Sequence, residues 1–325
     1  MTMKTTILSI LLILSSQLFS QINVGSNSSV KIEAGEFDKS NLKKLQDTKT
    51  YFVYKESDEK YLDQLDSNLQ AVWNYTELEL ISYEDLSDLD IDEDYSYFTI
   101  NVMLLVPQDR VDMPDDLHTY SNISIYLLLW MIDGIDTLSF SRIELFPGFT
   151  TPTMTSYLMQ KKSNADAMKY LYSEAIFKNW NPLYLKNALS IVNSTLSKQE
   201  TLWQLETAIY SNLSVLKTNT LYIPDYLFLK NKKFTGEEYS LDAEELLKKY
   251  PNPYEVVSIS ELIDLAEKTA DPVYYLSYIQ SGWDKYISIF EATTGKLIYS
   301  DYNPGEYSIK SRDITRIARE IKNSE

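Results

Sequence analysis

The chain has 325 residues, a formal net charge of -17 and no cysteine. That charge argues against nucleic acid as a partner, because affinity for phosphates needs a basic surface. The missing thiols exclude disulfide staples, thiol catalysis and cysteine-ligated metals.

Residues 1–20 carry Lys4, an apolar stretch from Ile7 to Leu14 and a polar, small-residue approach to Ser20. This is the three-part plan of a secretory signal. The apolar block is too short to span a bilayer, so cleavage between Ser20 and Gln21 is expected. The mature chain is then expected to be exported, periplasmic or secreted, with no transmembrane span. Residues 21–40 show no hydrophobic periodicity and read as a linker.

A first α+β module is expected over residues 41–148. TKTYFVY (48–54) has strand composition, Leu62, Leu65, Leu69 and Val72 recur on one helical face, and ELELISYEDL (77–86) returns to strand. The order strand, helix, strand predicts a βαβ unit with parallel strands. YSYFTINVMLLV and ISIYLLLWMI read as longer strands, the second turning at Asp133-Gly134, a strong hairpin signal.

Residues 149–212 read as a helical connector. Ser163 or Asn164 caps one helix, Asn181-Pro182 matches an N-cap followed by proline at the first helical position, and Ser197-x-x-Glu200 has the form of a capping box. A second α+β module follows over residues 213–325. Its strand runs are TNTLYIP, YEVVSI, VYYLSYI, YISIFE and KLIYSDY, with a hairpin at 292–295 and a final helix from Asp313. The abundant tyrosine, 26 residues, suits half-buried sheet surface.

Three stretches recur in the same order: TKTYFVY with TNTLYIP, ELELISYEDL with YEVVSISEL, and DYSYF with DPVYY. They predict two tandem related modules, with Thr50 equivalent to Thr220, Ser82 to Ser258 and Asp94 to Asp271. ISIY and ISIF add a fourth match, Ile123 with Ile287. A cleft between the modules is the expected place for a ligand.

No motif carries recognisable chemistry. His118 is the sole histidine and lies in a polar stretch beside Asp115 and Asp116 without a nucleophile motif. Asp88, Asp90, Asp92 and Asp94 alternate like a hard-cation loop, but Glu93 stands where that loop needs glycine and Thr99 where it needs glutamate. Gly295-Lys296 lacks the upstream glycine of a phosphate loop, since Phe290 occupies its place. Arg312, Arg316 and Arg319 form a stripe opposite Ile314, Ile317 and Ile321, as in a helix docked on its own module. No catalytic residue, metal ligand or cofactor is assigned. The expectation is a non-enzymatic binding or interaction protein whose partner is an unknown protein or small molecule. The alternative is a carboxylate-dependent hydrolase of glycosidase type, which carboxylate inventory alone permits.

Overall fold

The computed structural model describes residues 21–28, 35–104, 123–202, 212–231, 238–282, 284–306 and 308–324. In chain order the elements begin with β1 (Ile22–Val24), α1 (Lys39–Gln46), β2 (Lys49–Tyr54), α2 (Leu62–Gln70), β3 (Glu77–Ser82) and α3 (Tyr83–Asp88). They continue with β4 (Tyr95–Leu104), β5 (Ile123–Asp133), β6 (Asp136–Glu144), α4 (Thr150–Lys161), α5 (Asn164–Ser173) and α6 (Pro182–Ser197). The rest of the chain supplies β7 (Leu221–Pro224), β8 (Leu229–Asn231), β9 (Glu238–Ser240), α7 (Ala243–Leu247), β10 (Tyr254–Val257) and α8 (Ile259–Lys268). It ends with β11 (Tyr274–Ser281), β12 (Asp284–Glu291), β13 (Lys296–Asn303) and α9 (Ser311–Asn323).

The fold is α+β. The first sheet has the order β1-β6-β5-β4-β2-β3 and the second β10-β7-β11-β12-β13. Read from its other edge, the second sheet repeats the first without β1. Directions repeat too: β2 is parallel to β3 and β4, as β7 is to β10 and β11, and two antiparallel strands complete each sheet. The expected βαβ unit is present, with α2 as its crossover helix.

The linker expectation for residues 21–40 is corrected at both ends. Ile22–Val24 pairs antiparallel with β6 and is buried, and Lys39 already lies in α1. Three residues are too few to show a period, so only the partner strand reveals this one. The capping-box reading of Ser197 is also corrected, since Ser197 is the last residue of α6 and Gln199 leaves the helix at φ 56.

Helix α6 is the element both sheets share. Asn181 caps it by accepting from the Tyr184 N–H, with Pro182 in the first turn. Its apolar face is broad: Leu183, Leu185, Leu189, Val192 and Leu196 are all buried, while Ser194 and Ser197 stay exposed. Asn193 Oδ1 accepts from the backbone N–H groups of Asn74 and Tyr75 beside the first sheet, both at 3.0 Å. Asn187 Nδ2 donates to the Tyr275 hydroxyl in the second sheet at 3.0 Å.

The outer face of the second sheet is closed by α9. Ile314, Ile317 and Ile321 of that helix are buried, and Asp313 accepts from Lys285 Nζ at 2.7 Å, with both side chains buried. The three arginines of the stripe are paired within the chain, Arg316 with Asp301, Arg312 with Glu306 and Arg319 with Glu320.

Candidate functional site: an aromatic row on the first sheet

Strand alternation puts Tyr51, Tyr97 and Trp130 on one face of the first sheet and Phe52, Phe98 and Leu129 on the other. The second set packs inward, with Phe52 6.1 Å from Trp180 and Phe98 5.1 Å from Trp73 between ring centroids. The first set forms a ladder. Register places Glu79 opposite Tyr51, Tyr51 opposite Tyr97 and Tyr97 opposite Trp130. Ring centroids are 6.1 Å apart for Tyr51 and Tyr97 and 5.0 Å for Tyr97 and Trp130, while Tyr95 adds a fourth ring 5.1 Å from Tyr51. Tyr97 is buried between these neighbours, whereas Tyr51, Tyr95 and Trp130 are half-buried.

The rim of this row is acidic. Lys49 lies 5.7 Å from the Tyr51 ring centroid and bridges Glu77, at 3.2 Å, and Glu79. These two carboxylates raise its pKa further. Burial pushes the Tyr97 phenol up to about 12, the nearby Asp92 backbone opposing this and the Asp92 charge adding to it. Glu77, Glu79, Asp92, Glu93 and Asp94 are exposed. Trp130 Nε1 donates to Thr99 Oγ1 at 2.8 Å, which fixes the indole over the row.

The second sheet carries the same row. Glu255 opposes Tyr222, Tyr222 opposes Tyr275 and Tyr275 opposes Phe290. Two further features keep this register. The ladder between the last two strands slips at Leu129/Trp130 in one sheet and at Ile289/Phe290 in the other. Ser82 and Ser258 each cap the following helix through the N–H three residues on, with Leu86 and Leu262 buried one residue later. In this register Thr50 matches Leu221 rather than Thr220, Asp94 matches Pro272 rather than Asp271, and Ile287 matches Leu127 rather than Ile123. Those expected pairs are corrected. The first two pairs are one residue out of step and the third four, because short tyrosine and β-branched runs align almost as well when shifted, and only hydrogen-bonded partners fix the step.

The two rows differ in what lies over them. In the second sheet α6 covers the row: Tyr184 meets Phe290 edge-on at 6.4 Å, and Asn187 binds the Tyr275 hydroxyl. In the first sheet α6 sits on the opposite side, packed against α2 and β1.

Among the described residues, the boundary between the two sheets is packed around Glu144. Glu144 is buried there, its Oε1 accepting from Arg142 Nε at 2.5 Å and its Oε2 from Ser281 Oγ at 2.5 Å and Ser124 Oγ at 3.0 Å. Burial opposes the Arg142 charge, yet the Glu144 carboxylate raises its pKa overall. A fully buried carboxylate held by an arginine and two hydroxyls has no open approach for a substrate. Asp284, nearby, is raised by burial and accepts from the Gly305 N–H at 3.1 Å. The cavity where α6 and α8 meet, lined by Tyr184, Tyr275 and Ser277, measures about 10 Å³, room for one water. A larger one of about 220 Å³ lies beside Glu36, Asp38 and Phe140, below the usual size of a small-molecule site.

Other expected positions resolve as follows. Among the described residues, no three His, Asp or Glu side chains converge as for a metal. The alternating Asp88, Asp90, Asp92 and Asp94 are exposed, with Asp92 Oδ1 taking the Asp94 N–H at 2.9 Å. Gly295 makes the β12–β13 turn at φ 72. His118 and Ser20 lie outside the described residues, while Gln21 is buried and its carbonyl accepts from the Glu144 N–H at 2.9 Å. No described helix is long and apolar enough to cross a membrane. Comparison with protein-family models, curated proteins and solved structures finds no match. Sequence reasoning missed the aromatic row, although tyrosine and tryptophan at alternate positions of three strands were the signal for it.

Proposed function

We propose that this chain is a non-enzymatic, exported binding protein built from a duplicated unit, and that it holds its ligand on the row of Glu79, Tyr51, Tyr97 and Trp130. The observation that carries the reading is the pair of matching rows, one of them already covered by α6 and the other leaving Tyr51, Tyr95 and Trp130 half-buried around a buried Tyr97. Aromatic rings with a polar edge suit recognition, because they give large contact area at little conformational cost. The bound-up state of Glu144 and the small cavities weigh against the hydrolase alternative. Export rests on the pattern of residues 1–20, and cleavage before Gln21 would leave β1 whole.

The test is a photo-crosslinking amino acid placed at Tyr95 in the full chain, expressed in its own host. A defined covalent adduct that disappears in the Trp130→Ala background supports the reading. No adduct, or one indifferent to Trp130, overturns it.

A further inference from the structure

We propose that the occupant of the first row is a cationic amphipathic helix of another protein, seated as α6 is seated on the second row. The inference rests on the binding role just assigned to that row. The two rows share strand order, register and slip position, so a surface shaped to take a helix in the second sheet has its counterpart in the first. On the second row the helix supplies one aromatic ring against Phe290 and one amide to the Tyr275 hydroxyl. The accessible counterparts on the first row are the half-buried rings of Trp130 and Tyr51, with Tyr97 buried between them.

Charge selects the partner. Five exposed carboxylates, Glu77, Glu79, Asp92, Glu93 and Asp94, border the row, and Lys49 is engaged by two of them. A helix with lysine or arginine along its flank gains from this rim, whereas an acidic one is repelled. A second copy of a chain with net charge -17 is disfavoured for the same reason. Helix-in-groove recognition of this kind reads anchors at helical spacing.

The probe is a synthetic peptide with the sequence of residues 182–197, labelled for fluorescence anisotropy and titrated with the full chain. Ser194 and Ser197 are its exposed positions. One version carries Ser194→Lys and Ser197→Lys, and a control carries glutamate at those two sites. Saturable binding of the lysine version is expected, weakened at least about tenfold by Tyr51→Ala with Trp130→Ala, the scale of losing interface anchors. The exposed pair Glu77→Gln with Glu79→Gln, which leaves the core untouched, should weaken binding about threefold or more and flatten its salt dependence. Circular dichroism melting checks that each variant is folded. Equal binding of the two peptides, or binding unaffected by both sets of variants, overturns the helix. If the Tyr95 crosslink persists on a ligand that is not a helix, the row remains a binding surface and only this inference falls. If the crosslink fails as well, both fall.

Discussion

Arg142 shows how much one side chain can hold in place. It is buried, its guanidinium lies 4.0 Å over the Tyr126 ring, and it neutralises a carboxylate that also takes hydroxyls from both sheets. Removing one partner of such a pair strands the other charge in a low-dielectric site. Arg142→Met should therefore cost about 3–5 kcal/mol in denaturant unfolding, and adding Glu144→Leu should recover a large part of it. Simple additivity of the two changes would show that the pair is not coupled. Asp284 offers a pH test in the same region. Its folded-state pKa is raised above 3.8 by burial, so the folded chain holds this proton more tightly than the unfolded one. The associated stability is complete below 3.8 and is lost as pH rises through the higher folded value. Relative to wild type, Asp284→Asn should gain stability across that rise, and unfolding at a series of pH values checks it. A constant difference would place the carboxyl in water.

Among elements, α6 decides the architecture. Each large apolar side chain it buries stabilises the fold by about 1.5–3 kcal/mol, and the helix divides these between two sheets. Its fit against the β12–β13 turn is close. Gly295 has φ 72, and a Cβ there would come within 3.0 Å of Ser190 and 3.3 Å of the Asn187 backbone. Gly295→Ala should therefore lose more than the roughly 1 kcal/mol that left-handed backbone alone imposes on an L-residue, because helix and turn must also part. Asp133-Gly134 supplies the control, since Gly134 has φ 63 but open space around it. Thermal melts of Gly295→Ala and Gly134→Ala, side by side, should rank the first as the more damaging.

At the scale of the molecule, one continuous apolar cluster includes residues of both sheets and of α6. Two sheets sharing a buried helix cannot expose it separately without large loss, so denaturant unfolding should be a single transition with coincident fluorescence and circular dichroism curves. Two separated transitions would mean that the modules are energetically independent. Intact-mass measurement on protein from the native host should find Gln21 as the first residue. A mass that retains residues 1–20 would remove the case for export.

By itself the sequence determined most of the local structure: the βαβ order, the Asp133-Gly134 and 292–295 hairpins, the Asn181 cap and the docked isoleucine face of α9. These signals act within a few residues, where backbone conformation and periodicity are set. It also showed an ordered set of matching blocks, of which Ser82 and Ser258 fall at equivalent places in the two sheets. What only the tertiary structure decided was every relation across strands. The step between equivalent strands, the strand at Ile22–Val24, the burial of Glu144 between the sheets and the alignment of Glu79, Tyr51, Tyr97 and Trp130 all depend on partners far away in the chain. A single residue of slip leaves a tyrosine-rich strand looking the same while turning each side chain to the other face, so the site became visible only once hydrogen-bonded neighbours were fixed.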